Sequence, residues 1–121
     1  MRIIELEKIQ YPEYRTFECC NCSYKADVVG FAHTDIYGTF ETISCNNCKI
    51  LIDTKTEELI DNVDTLLFFN PITPVCSLCN EANNELWDIQ TANCPKCDSK
   101  MLVTRLIIKP NDDNMDNIKI I

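Results

Sequence analysis

The chain has one histidine, one tryptophan and two glycines in 121 residues, and its 11 basic side chains are outnumbered by 19 acidic ones. With His33 as the only imidazole, no Ser/His/Asp constellation can be assembled, and the chain is expected not to be an enzyme. No apolar run approaches the length needed to cross a bilayer. From Met1 to Tyr11 charges interrupt every apolar pair, so this stretch lacks the core of a secretory signal. Basic charge is too scarce for an extended phosphate-binding surface. The formal charge of −8 divides into −3 over 1–53, −3 over 54–72, 0 over 73–109 and −2 over 110–121. Such a molecule is repelled by nucleic acid at long range, and a basic protein is its natural partner.

Cysteine is abundant where the other reactive residues are scarce. Eight of nine cysteines fall into four Cys-x-x-Cys pairs: Cys19/Cys22, Cys45/Cys48, Cys76/Cys79 and Cys94/Cys97. Cys20 is left over and reads as an exposed neighbour. A secreted disulfide framework would use cysteine at this density, but the N-terminal segment argues for a reducing cytoplasm, where such pairs serve metals or redox chemistry. A chain of this length holds one ordinary domain or two miniature ones, and miniature domains need a staple.

A Cys-x-x-Cys turn presents two sulfurs on one side of a tight loop, and two facing turns complete the tetrahedron that structural zinc prefers. Two zinc ions are therefore the expected cofactors. Zinc binding by such sites contributes about 10–16 kcal/mol, more than the stability of a small domain, so folding is expected to require metal. Each loaded site adds a net −2, taking the chain from −8 to about −12. Pairing in chain order closes loops of 22 and 14 residues, whereas cross-bracing the first pair with the third closes 53 and 45. Loop entropy disfavours cross-bracing by about 2 kcal/mol, so sequential pairing is predicted.

Residues 1–13 read as a strand-like lead-in. In 14–53, Tyr24–Phe31 and Thr39–Ile43 read as strands around a turn at Asp35–Gly38, with Ile50–Ile52 leading out. In 73–109, Glu85–Ile89 lies between the knuckles and Met101–Ile108 alternates as a strand. Between them, in 54–72, Thr54-Lys-Thr-Glu57 matches a capping box, and Leu59, Ile60, Val63, Leu66 and Leu67 recur at helical spacing. A short helix over about 55–64 is predicted, with a strand over Thr65–Phe69 as the competing reading. The Asn/Asp-rich segment 110–121 is expected to be a mobile acidic tail.

Thr16-Phe-Glu-Cys-Cys-Asn-Cys-Ser23 and Asn93-Cys-Pro-Lys-Cys-Asp-Ser-Lys-Met101 resemble the knuckles of the zinc-ribbon, or rubredoxin-like, superfamily. The resemblance implies a small, metal-stapled, mainly β fold of two tandem zinc ribbons, 14–53 and 73–109, joined by the helix-like link. The family usually carries Gly after each second cysteine, whereas this chain has Ser23, Lys49, Asn80 and Asp98. Irregular knuckles are therefore expected in the first ribbon. Rubredoxins hold iron in the same ligand set, which makes an electron carrier the lowest-ranked alternative.

Lys96, Lys100, Arg105 and Lys109, with Trp87 nearby in sequence, form the one basic stretch that could face nucleic acid or a partner. The bland reading is a solvated surface and a core tryptophan. His33 has no second ligand at metal spacing and reads as part of a solvated hairpin. The leading expectation is a non-enzymatic zinc-binding protein that acts through protein–protein contact. A nucleic-acid-binding ribbon in transcription or RNA processing is the alternative.

Overall fold

The fold is that of a computed structural model, which describes residues 1–9 and 12–107 in full and the backbone alone of 108 and 118–119. In chain order the strands are β1 (Arg2–Glu5), β2 (Glu13–Cys19), β3 (Lys25–Val28), β4 (His33–Asp35), β5 (Gly38–Cys45), β6 (Ile50–Val63), β7 (Leu66–Pro71), β8 (Asn84–Leu86), β9 (Met101–Ile108) and β10 (Ile118–Lys119). One sheet runs β1-β7-β6-β5-β4, and β8 pairs with the far end of β5. The other runs β10-β9-β2-β3. The fold is mainly β, as the sequence implied.

A strand stands where the helix over 55–64 was expected. β6 carries Thr54, Thr56, Ile60 and Val63, whose branched side chains favour extended backbone. It is hydrogen-bonded on both flanks, to β5 over Ile50–Glu58 and to β7 over Glu57–Val63, and those ladders outweigh a local capping signal. Its register against β7 shifts between Leu59 and Asp61, so a bulge interrupts the alternation and the apolar spacing imitates a helix. Glu57, read as an N-terminal helix acid, instead accepts hydrogen bonds from Arg2 at 2.6 and 3.0 Å. β7 is the strand of the competing reading.

Strands from 14–53 and 73–109 pair with one another. β2 lies antiparallel to β9, from Glu13 opposite Ile108 to Cys19 opposite Met101. β5 meets β8, with Cys45 opposite Asn84. The expected mobile tail falls outside the described residues, apart from Ile118–Lys119, which pair with Ile107 and Leu106.

The main core gathers Phe17, Val28, Leu51, Trp87, Ala92 and Met101 around the buried Cys19 and Cys94. Phe17 meets the Trp87 ring edge-on at 4.9 Å, and burying one such side chain contributes about 1.5–3 kcal/mol. Polar bonds tie the sheets together. Leu51 N–H donates to the Tyr24 hydroxyl at 2.9 Å, and Val29 N–H to Asp53 Oδ2 at 3.0 Å. Asp53 also accepts from the Thr42 hydroxyl, which itself accepts from Gly30 N–H at 2.8 Å. No helix among the described residues is long and apolar enough to cross a membrane.

Candidate metal centres

Each Cys-x-x-Cys pair sits in a tight turn whose following residue has left-handed backbone. The φ angles are 68° at Ser23, 58° at Lys49, 58° at Asn80 and 66° at Asp98. All four turns thus share the left-handed position, Ser23 and Lys49 included, where irregularity was expected. Closing bonds recur: Lys49 N–H to the Cys45 carbonyl at 2.9 Å, Asn80 to Cys76 at 2.7 Å and Asp98 to Cys94 at 2.8 Å. Metal-site geometry thus holds non-glycine residues in a conformation that ordinarily favours glycine. The turns also aim amides at sulfur. Asn21 and Cys22 N–H reach Cys19 Sγ at 3.3 and 3.4 Å, Cys48 N–H reaches Cys45 Sγ at 3.4 Å, and Lys96 N–H reaches Cys94 Sγ at 3.4 Å.

The eight sulfurs form two tetrads, Cys19/Cys22/Cys94/Cys97 and Cys45/Cys48/Cys76/Cys79, with the ligand atoms of each within 4.8 Å of one another. This overturns sequential pairing. The first pair joins the fourth and the second joins the third, so one site is nested inside the other. The cause is strand pairing: β2 against β9 brings the outer knuckles together, and β5 against β8 brings the inner ones together.

The donor sets fit a tetrahedral divalent ion. Sulfur–sulfur distances are 3.4 Å for Cys19–Cys97, 3.5 Å for Cys22–Cys94, 3.7 Å for Cys45–Cys79 and 3.9 Å for Cys48–Cys76. Four thiolates at about 2.3 Å from zinc would stand about 3.8 Å apart. A disulfide needs about 2.05 Å, and all nine cysteines are free.

Without metal the thiols share protons unequally. The Ser99 backbone N–H and then its hydroxyl hold Cys97 down to about 6, and the Cys48 backbone N–H holds Cys45 down to about 7. Cys48 is pushed up to about 12 by its bond to Cys79 and by burial. At Cys22 the Tyr24 backbone bond favours the thiolate, but burial and the contacts with Cys97, Cys94 and Cys19 outweigh it, lifting the thiol to about 12.

Comparison with protein-family models, with curated proteins and with solved structures returns no match. The site is therefore read from its own chemistry.

The remaining candidates lie outside the tetrads. Cys20 is exposed, its amide bonded to the Lys100 carbonyl at 3.1 Å. His33 is half-buried in β4 rather than solvated, stacked on Phe40 at 5.5 Å. Lys96 lies over the Tyr24 ring at 5.3 Å, while Lys100 and Arg105 are exposed. Trp87 is buried in the core and donates to the Asn93 carbonyl at 2.7 Å, so it offers no stacking face. Lys109 lies outside the described residues.

An asparagine clamp at the inner site was not anticipated. Asn46 Nδ2 donates to Asn83 Oδ1 at 3.1 Å, and Asn83 Nδ2 donates to Asn47 Oδ1 at 3.0 Å, tying one knuckle to the segment that follows the other. The adjacent Asn46-Asn47 inside a knuckle was the available signal, but its partner is 36–37 residues away.

Proposed function

We propose that this chain is a non-enzymatic, zinc-stapled protein that acts by binding another protein, and that the partner's surface is basic. The observation that carries the reading is the closure of both tetrads: four cysteine sulfurs surround each centre. A tetrahedral ion held by all four keeps no position for water or substrate, which is the signature of a structural rather than a catalytic site. When bound, zinc supplies rigidity here and no reaction.

Charge supports the choice of partner, since −8 before metal, and about −12 with two four-thiolate sites loaded, favours a basic surface. The basic segment offers little to nucleic acid, because Lys96 is engaged with Tyr24 and Trp87 is buried. The amide–sulfur bonds keep iron chemically reasonable, so metal identity is the first thing to measure.

Elemental analysis of protein purified without added metal should give two zinc ions per chain. One or more irons, with visible colour, would replace this reading with electron transfer. For the interaction itself, native-salt capture should recover a basic protein. Failure to recover any protein, together with a salt-sensitive shift of DNA or RNA by the pure chain, would establish the nucleic-acid alternative instead.

A further inference from the structure

At the β1 end of the first sheet, Ile3 lies opposite Phe68 and Phe68 opposite Asp61, while Glu5 lies opposite Leu66 and Leu66 opposite Val63. Cross-strand partners and alternate residues share a face, so Ile3, Phe68, Leu66 and Val63 stand together with Glu5 and Asp61 among them. Ile3 is 54 % exposed, Val63 50 % and Leu66 37 %, whereas Leu67 and Phe69 on the opposite face are buried. The outward face of this sheet end is thus apolar and uncovered. β1 is also terminal in the sheet order, so its outer edge has no strand partner among the described residues.

Charge selects the occupant. At this end of the sheet Glu5, Glu7, Glu58, Asp61 and Asp64 are exposed against Lys8 and the Met1 amino group, because Arg2 is taken by Glu57 at 2.6 Å. A second copy would bring the same acidic rim, and another chain of charge −8, against it. A basic segment is attracted by that rim.

We propose that this end is the docking surface for the partner. An extended basic segment adds alongside β1, laying alternate apolar side chains on Ile3, Val63 and Leu66 and placing lysines or arginines against Glu5 and Asp61. This inference rests on the protein-binding reading above and locates it on the surface.

The test uses the zinc-loaded full chain and a fluorescent alternating lysine–valine peptide, with a lysine–glycine–serine peptide of equal charge as control. The lysine–valine peptide should bind at least about ten-fold more tightly than the control, a difference that only the apolar face supplies. The combined variant Ile3→Thr/Val63→Thr/Leu66→Thr should remove that difference. Glu5→Gln/Asp61→Asn should weaken both peptides, while Ile36→Thr/Tyr37→Thr, at exposed apolar residues of the turn between β4 and β5, should change neither. Amide exchange over 2–5 should slow on binding.

Equal affinity for the two peptides, insensitivity to the triple variant, or a dimer that this variant dissociates would each overturn the assignment. A basic protein partner that binds the triple variant as well as the parent would sink the surface while leaving the protein-binding reading intact. Loss of all protein binding in the parent would sink both.

Discussion

The sulfurs of Cys19 and Cys97 lie 3.4 Å apart across a separation of 78 residues. β2 ends at Cys19 opposite Met101, the first residue of β9, which sets the knuckle at 94–97 beside the knuckle at 19–22. One sheet ladder therefore chooses the ligand partners, and the outer tetrad joins the turn after β2 to the turn before β9.

Nested pairing makes a prediction that separates it from sequential pairing. The double variant Cys19→Ser/Cys97→Ser touches one tetrad and should retain one metal ion per chain. Cys19→Ser/Cys45→Ser touches both and should retain none. Sequential pairing would reverse these results, and metal content with cobalt absorption reads the difference.

Metal binding should release protons and tighten as pH rises. Cys22 and Cys48, both near 12, hold their protons at neutral pH, so each must lose one to an incoming ion. Below about 7, and then about 6, Cys45 and Cys97 also protonate, and each adds a competing proton. The stability that metal contributes is therefore present at neutral and higher pH and is lost as pH falls through that range. Competition with a coloured chelator, together with proton release in dilute buffer, checks both the direction and the steepening slope.

Lys49 holds a left-handed conformation at φ 58° without the freedom of glycine. Lys49→Gly should relieve up to about 1 kcal/mol of strain, raising the thermal midpoint of the loaded protein or slowing metal loss. Lys49→Val should do the opposite, because a branched side chain suits that region worst.

Gly38 carries φ 154°, and a Cβ there would run into the Glu57 carbonyl oxygen. Backbone does not yield as a side-chain tip does. Gly38→Ala should destabilise the loaded protein by about 2 kcal/mol or more in denaturant unfolding.

Glu57 is held below the usual carboxylate range by its hydrogen bond from Arg2, aided by Thr39 against the cost of burial. Its lowered folded value means that the stabilisation is present above the unfolded carboxylate pKa and disappears as pH falls through the folded one. Arg2 is half exposed, with 48 % of its side chain accessible, so Arg2→Met should cost only about 1 kcal/mol or less. Unfolding followed from neutral pH down into the acid range should show that cost shrinking.

Local chemistry was largely legible. The four cysteine pairs, the β5 segment before Cys45 and the alternation from Met101 to Ile108 all depend on neighbours in sequence. The β6 segment was not legible, because Thr54–Glu57 carries a valid capping pattern while β5 and β7, which hold it extended, arrive from elsewhere. Loop entropy also misled. The inner site closes a loop of 27 residues, after which the outer site has only the 22- and 14-residue arms left to close. Nesting then costs about 1 kcal/mol more than sequential pairing, which extended strand ladders readily exceed.

By itself the sequence determined that this protein would be a small, mainly β body with eight cysteines arranged for two metal sites on an acidic chain. Those properties follow from spacing, composition and charge, which act at short range or add up regardless of shape. Only the tertiary structure decided which cysteines share a centre, that β6 is a strand, and that Ile3, Val63 and Leu66 stand on one uncovered face. Each of these depends on backbone hydrogen bonds between distant segments, whose energies no local pattern encodes.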